Sequence, residues 1–227
     1  MIPIRDELPT RKFPFITVIL IAINIIIFLF EILQGQGLEP FFRYGGLVPA
    51  TLWGKGELNT SFISPWLTLI SSIFLHGNIL HLGSNMLYLW IFGNNVEDFL
   101  GHFHYLIFYL ISGIFAGLVH ALLFPSSTIP TIGASGAIAG VMGGYLILFP
   151  GARVIVMLIF GFFVTFVRVK AVLVLGIWIL LQVVSGLTSL GMSSRGGVAW
   201  FAHIGGFLLG VLWCKIVSNR YYRTHYW

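Results

Sequence analysis

The sequence predicts an all-α integral membrane protein, a six-helix transmembrane bundle. Three observations predict it. Of 227 residues, 58% are hydrophobic and 8% charged, against roughly 25% charged in an average soluble domain. So few charges cannot cover a water-facing surface, and the matching solvent is a lipid bilayer. The apolar residues also fall into six uncharged stretches, each near the ~20 residues that cross ~30 Å of hydrocarbon. Finally, backbone groups in lipid have to bond within their own segment, which makes these stretches helices.

In chain order the predicted spans are 13–30, 79–96, 105–124, 133–149, 171–192 and 196–214. Asp6 and Glu7 precede the first span and no small-residue cleavage site follows it, so it reads as a retained helix and not a signal peptide. The connection from Glu31 to Ser72 carries Phe41, Phe42, Tyr44, Trp53 and Trp66, aromatic side chains suited to the headgroup layer. Segment 154–167 is apolar but too short to cross and is bracketed by Arg153 and Arg168. Its β-branched and aromatic residues predict an extended or irregular connection, interfacial or re-entrant, between the fourth and fifth spans. No repeat or second domain is visible, so residues 1–227 read as a single transmembrane domain. The lone Cys214 excludes an internal disulfide and reads as a packing residue.

Lys and Arg set the orientation. With six spans, Arg5, Arg11, Lys12, Arg153, Arg168, Lys170, Lys215, Arg220 and Arg223 share one side, and Arg43, Lys55 and Arg195 the other. Both termini are therefore expected in the cytoplasm. The net charge of +5 follows from this distribution, with no basic run that would argue for nucleic acid.

Polar residues inside spans are costly and point to function. Counting from Pro150 at the inner end of the fourth span, Ser135 stands about 22 Å up, some 8 Å below the outer edge. In the second span His81 lies at the same height as Ser135, with Asn85 one turn lower on the same face. His203 in the sixth span falls about 9 Å below the outer edge. Gly136, Gly140 and Gly144, and Ala202, Gly206 and Gly210, form two small-residue ridges that let helices approach closely. Taken alone, Ser135 reads as a structural hydroxyl bonding back to a carbonyl, His203 as a packing residue, and the glycines as packing.

Together they fit nucleophilic catalysis. A serine hydroxyl needs an adjacent base, and the start of a helix offers free N–H groups to an oxyanion. No Asp or Glu lies within the predicted spans, which leaves a Ser–His dyad in place of a carboxylate-supported triad. A metal site built on His76, His81 and His203 is a second reading, weakened by the absence of H-E-x-x-H and of intramembrane carboxylates. No cofactor or metal is expected.

The stretches HGNILHLGSN (76–85), GASG (133–136) and AHIGGFLLG (202–210) resemble, in order, three signatures of the rhomboid intramembrane serine proteases. NNVEDFLG (94–101) is similar to the end of that family's second helix. The resemblance implies a rhomboid-type bundle with Ser135 as nucleophile and His203 as general base. It implies His81 and Asn85, with the Ser135 N–H, as oxyanion donors, and His76, Gly133 and Gly136 as supporting residues. The implied partners are transmembrane protein substrates and the lipid bilayer. Where some members place a tyrosine four residues after the nucleophile, this chain has Ala139. Trp178 and Gln182 on the fifth span, the family's suspected lateral gate, read as packing or gating residues, and His102, His104 and His120 as interfacial. With no transit peptide visible, a prokaryotic plasma membrane is expected. A non-catalytic rhomboid-like binder of membrane helices is the alternative, though such proteins lack the serine or the histidine, and both stand here.

Overall fold

The computed structural model describes residues 1–33, 38–55, 63–190 and 198–225. The apolar stretches form helices as expected: α1 (Phe15–Leu33), then α5 (Ile79–Leu100), α6 (His102–Leu123), α7 (Ser135–Leu148), α8 (Ala171–Ser189) and α9 (Trp200–His225). Between α1 and α5 lie the short helices α2 (Leu38–Gly45), α3 (Pro49–Leu52) and α4 (Thr68–Ser71). The predicted ends at 192 and 196, and with them Arg195, fall outside the described residues.

Among the described residues, four helices are long and apolar enough to cross a membrane: α1, α6, α8 and the Trp200–Asn219 part of α9. The other two members of the six differ for physical reasons. α5 has the length, but Asn94, Asn95, Glu97 and Asp98 lower its hydropathy. α7 is apolar but has only 14 residues, about 21 Å of helix at 1.5 Å per residue. It is the central helix, and every residue from Gly136 to Tyr145 is buried. A helix shorter than its neighbours can start below their rim.

Glycine decides how α7 and α9 meet. A Cβ added to Gly206 would collide with the Gly136 carbonyl, and one added to Gly210 with the Gly140 carbonyl. At Gly143 the obstacle is the Phe207 carbonyl. The two helices thus touch backbone to backbone. On the other side of α7, Gly136 and Gly140 face Ala116 and Ser112 of α6.

Among the described residues there are also three strands: β1 (Ile2–Asp6), β2 (Arg153–Phe160) and β3 (Phe163–Lys170), antiparallel in the order β1-β2-β3. The extended conformation expected for 154–167 is a hairpin, turned at Gly161 with φ +59°. The N-terminal strand was not legible, because its pairing partner lies some 150 residues away (Pro3 opposite Val156). Val154 and Val156 are buried against the helices. Tyr145 of α7 donates to Asp6 Oδ2 at 2.6 Å, tying β1 to the bundle; burial raises the Asp6 carboxyl above its ordinary range against the pull of that bond.

One expectation is corrected. Carboxylates do lie within bundle helices, because α1 and α5 each continue past the predicted span end. Glu31 of α1 and Glu97 of α5 are both 1% exposed. Both accept hydrogen bonds. Glu31 takes the His76 N–H. Glu97 accepts from the N–H groups of Ile16 and Thr17, from Thr17 Oγ1 at 2.7 Å, and pairs with His102 Nδ1 at 2.6 Å. A buried carboxylate is tolerable when donors surround it. His102, expected at the interface, is thus the partner of a buried carboxylate.

Gly206→Ala and Gly210→Ala are expected to destabilise the fold by about 1–3 kcal/mol each, the usual cost of overpacking. Gly176→Ala on α8, where a Cβ meets nothing within 4 Å, is the control. Thermal melts of purified protein in detergent check this; equal melting temperatures for all three would contradict the backbone contact.

Candidate active site

Ser135 is the first residue of α7, and the chain enters it through Gly133, whose φ of +123° a side-chain-bearing residue rarely adopts. A Cβ there would also lie 2.7 Å from His81 Nε2 and 3.7 Å from Asn85 Nδ2. Glycine therefore serves twice: it makes the turn, and it lets two α5 side chains stand beside the start of α7. The Gly133 N–H is held by the Ser72 carbonyl at 2.8 Å. The first N–H groups of a helix have no partner within it, and Ser135 and Gly136 carry those of α7.

The α7–α9 contact brings Ser135 Oγ to 2.7 Å from His203 Nε2. On the far side of the ring, His203 Nδ1 lies 2.7 Å from Gln182 Oε1 of α8. An amide oxygen only accepts, so Nδ1 carries the proton and donates. Nε2 is then left as an acceptor for the serine hydroxyl. Trp178, one turn before Gln182, lies against the same ring with centroids 5.8 Å apart, and Trp200 meets it edge-on at 6.3 Å. Ala139 leaves no ring on α7 for His203 to rest on; α8 and Trp200 hold it instead.

A second chain of bonds orients Asn85. His76 Nε2 accepts from Asn85 Nδ2 at 2.9 Å, and the two imidazoles of His76 and His81 meet edge to face at 5.1 Å. One amide proton of Asn85 is thereby fixed, and the other is left to point elsewhere. His76 is 1% exposed, and its backbone N–H donates to Glu31 Oε1 at 3.0 Å and Oε2 at 3.3 Å. Asn78 caps α5 by accepting from the His81 N–H at 2.8 Å.

Ser135, His203, His81 and Asn85 all line one cavity of about 1070 Å³, along with Ser72, Ser84 and Gln182. His120 lines it too, with its Nδ1 buried, a correction to its expected interfacial place. His76 and Gly136 stand against the same centre, and all seven predicted site residues fall together. Among the described residues no three His, Cys, Asp or Glu side chains gather as a metal site would require.

Two contributors escaped their full sequence reading. Gln182 carried a signal, a lone amide in an apolar helix four residues after Trp178 and so on its face, but nothing in the sequence aimed it at His203. Glu31 lay one residue past the predicted first span.

The Rhomboid domain matches residues 64–220. Rhomboid protein 1, mitochondrial, of Saccharomyces cerevisiae is 33% identical over 168 residues, 71% of this chain and 45% of the yeast protein. Rhomboid protease GluP of Bacillus subtilis is 36% identical over 134 residues, 59% of this chain and 24% of that protein. Rhomboid protease AarA of Providencia stuartii is 31% identical over 145 residues, 58% of this chain and 50% of that protein. The chain spans about half the length of these curated relatives, or less.

Glu31→Ala should leave the His76 N–H buried without an acceptor and lower stability by about 1–3 kcal/mol. Glu31→Gln keeps an acceptor and should recover most of that loss. Melts of the two variants in detergent check this, and equal losses in both would show that the bond to His76 is not what Glu31 supplies.

Proposed function

This chain belongs to the rhomboid family, and from that premise we propose that it is an intramembrane serine endopeptidase working with a Ser135–His203 dyad. The observation that carries the reading is the 2.7 Å contact between Ser135 Oγ and His203 Nε2, two residues that line the same cavity.

Substrate binding places a peptide carbonyl over Ser135. His203 Nε2 takes the hydroxyl proton as Oγ attacks the carbonyl carbon. The resulting oxyanion is held by the Ser135 N–H at the start of α7, by the free amide proton of Asn85 and by His81. His203 then passes its proton to the departing amide nitrogen, and the bond to the new amine breaks. Water enters, gives a proton to Nε2 and attacks the acyl carbon; the acid leaves and Ser135 regains its hydrogen. Throughout, Gln182 holds the Nδ1 proton in place and so keeps Nε2 as the basic nitrogen, while His76 keeps Asn85 turned to the site. Gly133 and Gly136 keep the helices close.

The proposed substrates are transmembrane segments of other proteins. A helix hides its carbonyls in its own hydrogen bonds, so segments with Gly, Ala, Ser or Pro, which weaken helix continuity, are preferred. Residues 1–227 are taken as one transmembrane unit in a plasma membrane, with both termini in the cytoplasm; the Lys and Arg distribution supports that placement. A binder of membrane helices without chemistry would not need a serine bonded to a histidine, so the catalytic reading is the better one.

Ser135→Ala and His203→Ala should each abolish cleavage of a single-span model substrate in liposomes, and undiminished turnover in either would remove the dyad. Asn85→Ala should cost roughly tenfold to a thousandfold in kcat, the range for an oxyanion donor. Chelators should leave the rate unchanged, and strong inhibition by them would turn the case toward a metal.

Gln182→Leu removes the acceptor for Nδ1–H at nearly constant volume. It should lower kcat at least about tenfold, as misdirected general bases do, with KM little altered. Gln182→Glu restores an acceptor and should recover turnover. A loss confined to KM would mean that Gln182 contacts substrate and does not orient His203.

A further inference from the structure

The β2–β3 hairpin has two unlike halves. Near its base Val154 and Val156 are buried and Val167 and Val169 partly so, packed against the bundle. Beyond them every residue from Ile159 to Phe166 is exposed. Six of these eight are large and apolar, and none is charged: Phe160 is 64% exposed, Phe162 104% and Phe163 81%, alongside Ile159, Val164 and Phe166. Such a contiguous apolar tip does not belong in water.

We propose that this tip is a membrane anchor, inserted into the headgroup–acyl boundary of the leaflet at the end of the bundle that carries β1, where it sits on anionic lipid. Three features fix the occupant as lipid. The hairpin runs straight into α8, whose first turn already exposes Val172 and Leu173 on the outside of the bundle, so the tip and the lipid-facing helix form one surface. At the base, Arg5, Arg153 and Lys170 are exposed, while Glu7 is taken up by Arg168, which leaves a cationic rim that complements phosphate headgroups. And Phe160, Phe162 and Phe163 about the turn are exposed apolar rings, side chains that interfacial elements bury at this boundary.

Insertion has a depth limit. Among the described residues β3 pairs on one side only, and the hydrocarbon interior does not accept the open edge of a sheet. The strands therefore lie along the surface and only the tip dips in, by about 5–10 Å, as interfacial elements do. The hairpin thus holds the amino-terminal end of α8, the helix that supplies Gln182 and Trp178, at a fixed height in the bilayer. The anchor is independent of the peptidase reading and stands if the chain cleaves nothing.

The test uses the full chain in liposomes. In a Cys214→Ala background, an environment-sensitive fluorophore is attached at Phe162→Cys and, separately, at Val164→Cys. Emission should be blue-shifted, quenched severalfold more by doxyl lipid than by aqueous iodide, and more deeply buried in phosphatidylglycerol than in phosphatidylcholine vesicles. Free access of iodide at both positions overturns the anchor. Identical depth in the two lipids overturns the part played by anionic headgroups. Disulfide cross-linking between copies of the unlabelled Phe162→Cys variant, rising with protein density, overturns lipid as the occupant in favour of a second copy of the chain.

Discussion

Everything at the centre of this protein depends on α7 and α9 meeting without side chains between them. Gly206 and Gly210 lie against the carbonyls of Gly136 and Gly140, a separation that no other residue type permits. Association of helices in lipid gains nothing from water exclusion, and close backbone packing is one of the few forces available. The same contact sets the chemistry. A side-chain bond of 2.7 Å between Ser135 and His203 spans two helices, and a single interposed methyl group would open it. Stability and site geometry are therefore one property here, held by the same glycines.

Around that contact one ring and one amide each have a proton assigned. Gln182 takes the Nδ1 proton of His203, and His76 takes one amide proton of Asn85. In a medium of low polarity such assignments matter more than in water, because an unpartnered polar group costs more and a partnered one is held more firmly. The orienting groups come from different helices: α8 positions the base, while α1, through Glu31 and the His76 backbone, positions the loop that leads into α5. The start of α7 is where these influences converge.

Much of this is legible in the sequence. Hydropathy locates the helices, and the depth of Ser135, His81, Asn85 and His203 can be counted from the span ends, since helical rise is constant. Three ordered motifs then point to the rhomboid family. What cannot be read depends on contacts distant in the chain. The pairing of β1 with β2 joins the amino terminus to a segment some 150 residues later. Gln182 reads as a packing or gating residue because rotation of α8 about its axis is set by its neighbours and not by its own sequence. Charge excludes Glu31, Glu97 and Asp98 from the predicted spans, yet helices continue through them where backbone N–H donors satisfy all three carboxylates. His120 reads as interfacial by the same logic, since only packing shows that it lines the cavity.

The most direct test of the central claim is covalent: treat membranes containing the protein with a fluorophosphonate and locate the adduct by mass spectrometry. An activated Ser135 predicts a single phosphonylated peptide containing that serine, absent from His203→Ala. An unmodified Ser135, or labelling that survives the loss of His203, would contradict the pairing of the two helices as a catalytic unit.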